Sequence, residues 1–186
     1  MSTPALHRLL AGRFSPGDFD PAHELRPDEV DQLLEAARWA PSAGNSQPWS
    51  FIAGRRGDDA HRRLVAHLAG SSARWAPGAA LLVANLSHRR VEGTDWDYSE
   101  FAHYDLGQAV AHMTLQARAL GLHTRQFRAF DRGAVAAEFA VPPHWEVTTM
   151  TAIGKAAGAG RRGARERHPL RAIDWLTGGD RSRLSP

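Results

Sequence analysis

Three stretches of this 186-residue chain carry side chains whose type and spacing suit ligand binding. The first is APSAGNSQPW, Ala40 to Trp49, which packs small residues, the amides Asn45 and Gln47, Pro48 and an indole into the junction between a helical pattern and the strand-like WSFIA. Small side chains let a ligand approach the backbone, and carboxamides both donate and accept, so the junction suits a flat polar molecule. The second is GRFSPGDFD, where Arg13 and Ser15 set a guanidinium and a hydroxyl two residues apart, a workable grip on a phosphate. The third is RERHPL, where Arg165 and Arg167 have the same spacing. In extended chain, residues two apart project from one side, so either pair could meet one phosphate. Solvated surface charge is the ordinary role of arginine, and residue type alone does not displace that reading.

Other chemistries are poorly served. The chain has no cysteine, which excludes disulfides, thiolate metal sites and a cysteine nucleophile. Its ten histidines form no HExxH pair; neither His61 with His67 nor His103 with His112 has the spacing of a helical metal site. There is no GxSxG elbow and no P-loop. Gly158, Gly160 and Gly163 spell GxGxxG after a strand pattern, but ARERHP follows in place of an apolar helix, so a glycine-rich tail is expected there. No metal site is expected. Lys plus Arg total 23 against 20 for Asp plus Glu, a net charge of +3, and the arginines are spread among acids and not gathered as a nucleic-acid surface requires. The apolar run Trp75 to Leu86 is broken by Pro77 and Gly78 and falls short of the ~20 residues of a membrane span. MSTPALHRLLAGRF lacks the pattern of a secretory signal, and a cytoplasmic location is the default expectation.

The elements that must position these groups follow from periodicity. Val30, Leu33, Leu34 and Ala37 mark a helix from Pro27 to Ala40, stopped by Pro41. Trp49 to Ala53 reads as a strand, Asp58 to Leu68 as a helix, and Ala79 to Asn85 as a strand covered on both faces. Arg90 to Tyr104 has no period and is expected to be a loop or lid, with Trp96, Tyr98 and Phe101 either packing it down or stacking an aromatic acceptor. Leu106, Ala109, Val110, Met113, Ala117 and Leu120 form the stripe of a long helix that Gly121 would cap. His123 to Phe127 is extended, Asp131 caps a helix through Phe139, and Trp145 to Ile153 suits a strand. With 42% hydrophobic residues, one α+β domain over 1–186 is expected, residues 155–186 being an Arg/Gly-rich tail that needs a surface to order it.

In order and spacing, RFSPGDFD, LLEAARWAPSAGNSQPWSFI, YDLGQAVAHMTLQARALGL, FRAFD and RERHPL resemble the nitroreductase family of FMN-dependent oxidoreductases. The resemblance implies a nitroreductase-like fold, a central and mostly antiparallel sheet flanked by helices, in a homodimer with FMN at the interface. It implies that Arg13, Phe14 and Ser15, with Arg165 and Arg167, hold the FMN phosphate. Ser42, Ala43, Gly44, Asn45 and Gln47 would reach the ring and ribityl chain from the opposite subunit, and Gln126, Phe127 and Arg128 would lie by the reactive edge. The implied activity is NADH- or NADPH-dependent reduction of a nitroaromatic, a quinone or a similar small aromatic acceptor by a ping-pong mechanism. Alternatives are a narrower flavin reaction, such as dehalogenation or dehydrogenation, and a flavin-binding protein without turnover. The chain departs from the family pattern at Gly17, where a basic residue is common, at Arg128 and Ala129, where an acidic or small residue followed by glycine is common, and in Gly70 to Ser72, where an asparagine is usual.

Overall fold

The computed structural model describes residues 5–158 and 165–173. Four strands form its sheet: β1 (Trp49–Arg55), β2 (Leu81–His88), β3 (His123–Phe127) and β4 (Trp145–Gly154), in the order β1-β2-β4-β3 with every neighbouring pair antiparallel. The helices are α1 (Arg8–Ala11), α2 (Pro27–Arg38), α3 (Asp59–Ala66), α4 (Gly70–Ala73), α5 (Ala102–Ala119), α6 (Arg132–Glu138) and α7 (Leu170–Ile173). The expected α+β class holds, as does the central antiparallel sheet flanked by helices.

Strand β2 explains the layering. Successive side chains in a strand face opposite sides, and here both sides are covered. Leu81 and Val83 pack with Leu33 and Ala37 of α2 and Ala109, Met113 and Ala117 of α5. Leu82, Ala84 and Leu86 pack on the other side with Leu64 of α3 and Val135 of α6. Leu33, Leu64, Leu81 and Leu82 are fully buried, and each such burial contributes about 1.5–3 kcal/mol. The β2–β4 register shifts between Asn85 and Leu86, which pair with Thr149 and Val147, so Thr148 is an extra residue. This bulge turns Val147 and Met150, three positions apart, onto the same core. At the centre of the sheet Asn85 donates Nδ2 to Thr149 Oγ1 (3.0 Å) and Thr151 Oγ1 (2.9 Å).

The Asp131 cap expected from sequence forms, and Asp58 caps α3 in the same way. Asp58 Oδ1 accepts from the His61 N–H (2.7 Å), and Asp131 Oδ1 from the Ala134 N–H (2.9 Å). Helix α5 ends in a Schellman turn: Gly121 has φ +75°, Leu122 N–H donates to Ala117 O (2.8 Å) and Gly121 N–H to Arg118 O (3.1 Å). The expected boundaries shift by a few residues. Helix α2 stops at Arg38, α3 at Ala66 and α6 at Glu138, while β1 and β2 run on to Arg55 and His88. The irregular segment ends at Phe101, so His103 and Tyr104 belong to α5.

Three short helices, α1, α4 and α7, lie outside the sequence reading. Helix α4 is held where Ser72 Oγ donates to Ala69 O (3.0 Å) and to Ala129 O, while Ala69 N–H donates to the same Ala129 carbonyl (3.0 Å). Helix α1 leads into the Arg13 segment. Of the glycine-rich signature, Gly160 and Gly163 lie outside the described residues.

Candidate functional site

The loop from Ser42 to Gln47 joins α2 to β1. Its backbone passes through the left-handed region three times, at Gly44 (φ +56°), Asn45 (φ +55°) and Gln47 (φ +47°). Only glycine enters that region freely, so the two amide residues are held there by contacts. Ala43 N–H donates to Asp105 Oδ2 (3.0 Å), and Gln47 N–H to Ser42 Oγ (3.0 Å). Gln47 Nε2 donates to Asn45 O (3.2 Å) and Oδ1 (3.1 Å), and Tyr98 Oη donates to Ser46 O (3.1 Å). Ala43, Gly44, Asn45 and Gln47 stay exposed, and Asn45 Nδ2 and Gln47 Oε1 have no hydrogen-bond partner among the described residues. A fixed loop thus presents a free donor and a free acceptor outward.

Arg13 lies elsewhere. With Gln126 it lines a groove of about 350 Å³ along α5, whose other walls are Leu10, Gly107, Val110, Ala111, Thr114 and Leu115. Gln126 Nε2 donates to Thr114 Oγ1 (2.7 Å), and Thr114 Oγ1 donates to Val110 O (2.8 Å). That relay fixes the Gln126 amide and leaves its oxygen without a partner among the described residues.

Ser15 lines a second cleft, of about 450 Å³, with Phe14, Pro16, Gly17, Arg125, Ala156 and Ala157. The structure therefore does not set Arg13 and Ser15 side by side, as their spacing in extended chain would. The segment follows α1 and the Gly12 turn instead of running as a strand, and between the two residues the Phe14 ring packs on His123 with centroids 4.4 Å apart. Burial and the Arg118 charge lower the His123 pKa, which keeps this contact uncharged.

Gln126 to Arg128 diverge too. The Phe127 ring packs edge-on against Trp75 (4.9 Å) and joins the core, and Arg128 lines a third cleft of about 550 Å³ with Phe130, Asp131, Arg132, Trp145 and Glu146. Within it, Glu146 pairs with Arg132 (2.7 Å), His103 (3.2 Å) and Arg89 (3.6 Å). Arg165 crosses back to the start of the chain and donates to the carbonyls of Ala11 and Arg13, while Arg167 is exposed and donates to Glu166 O (2.6 Å). The tail therefore does reach the Arg13 segment, but through its backbone.

Contacts the sequence reading did not supply complete the picture. Asp105 and Tyr98 anchor the amide loop, and Arg125 faces the Ser15 cleft. The Tyr98 ring stacks on His88 at 3.8 Å, so Tyr98 packs the segment down, whereas Trp96 and Phe101 remain exposed. Among the described residues no cluster of His, Asp or Glu could hold a metal, and no helix is long and apolar enough to cross a membrane.

The loop and the groove sit on different sides of α5. At ~100° per residue, Asp105 lies roughly 200° around the helix from the mean direction of Gly107, Val110, Ala111, Thr114 and Leu115. One protomer carries the two sets of free polar groups back to back.

A model of the nitroreductase family matches residues 10–85. The chain is 30% identical over 182 residues to a 5,6-dimethylbenzimidazole synthase of Rhodospirillum rubrum, covering 82% of this chain and 81% of that one. A 40-residue stretch, 22% of this chain and 18% of the other, is 42% identical to an oxygen-insensitive NAD(P)H nitroreductase of Salmonella typhimurium. In fold, the chain is similar to the crystal structure of an oxidoreductase containing FMN, with a TM-score of 0.84 at 24% identity over 94% of this chain and 93% of that one.

Proposed function

Because the chain belongs to the nitroreductase family, we propose that it works as a homodimeric FMN enzyme in the cytoplasm, one domain per protomer, reducing a small aromatic acceptor at the expense of NADH or NADPH. The observation that carries this reading is the back-to-back placement on α5. A two-fold partner lays its own Ser42–Gln47 loop against the Arg13 and Gln126 groove, and the same operation completes a second site. Apolar side chains are at hand to cover that face, since Leu10 and Tyr104 are 44% and 69% exposed.

The donor set fits FMN. The Ser15 hydroxyl supplies a donor for a phosphate from its own cleft, the Arg13 guanidinium adds a cation on the groove side, and Arg165 fixes the Arg13 backbone from the tail. Asn45 and Gln47 offer an amide donor and an amide acceptor for the polar edge of a ring, Ser42 holds the Gln47 backbone, and Ala43 and Gly44 leave room for close approach. Gln126 adds a fixed carbonyl, and Phe127 holds the end of β3 that carries Arg128. FMN, when bound, supplies the redox chemistry, taking hydride from the nicotinamide and passing electrons to the acceptor. The protein's residues bind, orient and exclude water, so no side chain is assigned as acid, base or nucleophile. One open face serving donor and acceptor in turn gives ping-pong kinetics, read as parallel lines in double-reciprocal plots.

Subunit mixing tests the assignment. Arg13→Ala and Asn45→Ala each lower flavin content in the homodimer. A mixed dimer regains one intact site, because Arg13 of one protomer then meets Asn45 of the other. Absence of recovery on mixing, with both variants folded, refutes the shared site. A visible flavin spectrum bleached by anaerobic NADPH checks the activity; bound flavin that neither pyridine nucleotide reduces would instead identify a binding protein. A narrower reaction is the second reading, favoured by the identity to the dimethylbenzimidazole synthase. Flavin reduced by NADPH but reoxidised by neither quinone nor nitroaromatic would select it.

A further inference from the structure

We infer that Arg125 is a further cofactor-binding residue, a cation on the FMN phosphate; this rests on the FMN reading above. Strand β3 alternates, so Thr124 and Gln126 face α5 while Arg125 projects to the other side. There its Cζ lies 3.8 Å from the Trp75 ring centroid, and Nη1 donates to the carbonyls of Pro16 (3.2 Å) and Gly17 (3.1 Å). These contacts fix the planar guanidinium through one face and one nitrogen. Among the described residues Nε and Nη2 have no hydrogen-bond partner, and Arg125 takes part in no salt bridge.

The half-buried cation lines the same cleft as the Ser15 hydroxyl. Between them Gly17 contributes no side chain, and a Cβ built there would meet nothing within 4 Å, so the turn leaves space in front of the guanidinium. A fixed fork with spare N–H donors, a neighbouring hydroxyl, open space and no acidic partner form a receptor for a tetrahedral oxyanion. Arg125 thus supplies from the sheet edge the positive charge that position 17 lacks. It also ties the Ser15 turn to β3, so one side chain orders the turn and binds the ligand.

The test is titration of the flavin-free protein with FMN and with riboflavin, which lacks the phosphate. Arg125→Gln weakens FMN binding by about tenfold or more and leaves riboflavin affinity within about twofold. Arg125→Lys, which keeps a stem over Trp75 and the charge but not the fork, falls between; it carries the comparison if the glutamine variant does not accumulate folded. Equal losses for both flavins reduce Arg125 to a clamp on the turn and overturn the inference, as does unchanged FMN affinity. Wild-type protein that binds neither flavin sinks the FMN reading itself, which is a distinct result.

Discussion

Replacement of Asp105 by alanine should weaken flavin binding without any direct contact to the flavin. The Asp105 side chain is 2% exposed, and its Oδ2 receives the Ala43 N–H at 3.0 Å. A hydrogen bond to a charged acceptor is worth about 1.5–3 kcal/mol net, and a neutral one about 1. The Ser42–Gln47 loop has three further anchors, Gln47 N–H to Ser42, the Gln47 amide to Asn45 and Tyr98 to Ser46, which together contribute about 3 kcal/mol. Against them stand two non-glycine residues at φ +55° and +47°, each costing roughly 1–2 kcal/mol. With Asp105 the anchors exceed the strain; without it the two terms nearly cancel and the loop spends much of its time in other conformations. Apparent affinity falls with the fraction that remains competent, and with the two terms near balance about half the molecules stay competent, so Kd rises about twofold. Asp105→Asn keeps an acceptor oxygen of the same shape and should bind FMN closer to the wild type. Quenching of FMN fluorescence on titration into flavin-free protein measures both. If Asp105→Ala binds FMN like the wild type while Asn45→Ala does not, the loop needs no anchor and the strain balance is wrong.

Two further outcomes concern the scaffold. A Cβ added at Gly54 would sit 2.4 Å from His61 N and 2.7 Å from its Cα, backbone atoms of α3 that cannot step aside, so Gly54→Ala should cost about 1–3 kcal/mol or more in urea unfolding; an unchanged midpoint would contradict the close approach of α3 to β1. Burial is the first cause lowering the pKa of His23, His61, His88 and His123 below 6.5, with nearby Lys155, Arg56, His144 and Arg118 charges adding to it, respectively. The unfolded chain then binds more protons than the folded one below that value, so stability is full above about pH 6.5 and falls as the pH drops towards the folded-state pKa values, each unit of depression contributing about 1.4 kcal/mol. Urea midpoints that rise between pH 7.5 and 5.5 would refute this sign.

Much of the fold was legible because its signals are local. Asp131 caps α6 through an N–H group three residues on, Gly121 closes α5 within one turn, and the unbroken apolar run of β2 announces cover on both faces. The Thr148 bulge and the strand order carry no such signal, since they depend on how β4 pairs with strands far away in the chain. The site was legible in composition but not in arrangement. Spacing two apart suggested that Arg13 and Ser15 act together, yet Phe14 packs on His123 and the two line separate clefts. Asp105 and Tyr98 serve the amide loop from 62 and 52 positions away, a distance over which sequence pattern says nothing. Arg125 did leave a trace, an arginine in the alternating strand TRQF with no acid beside it.

The strand made last is not an edge strand. Residues 145–154 slot between β2 and β3, so a growing chain that has emerged only as far as Pro143 holds β2 with one flank unzipped and β3 with no companion at all. Such a nascent intermediate exposes adhesive backbone at the heart of the future molecule, and translation pausing before Trp145 should promote aggregation and chaperone capture. Truncation at this point forfeits two of the three strand pairings, a penalty far out of proportion to the length removed.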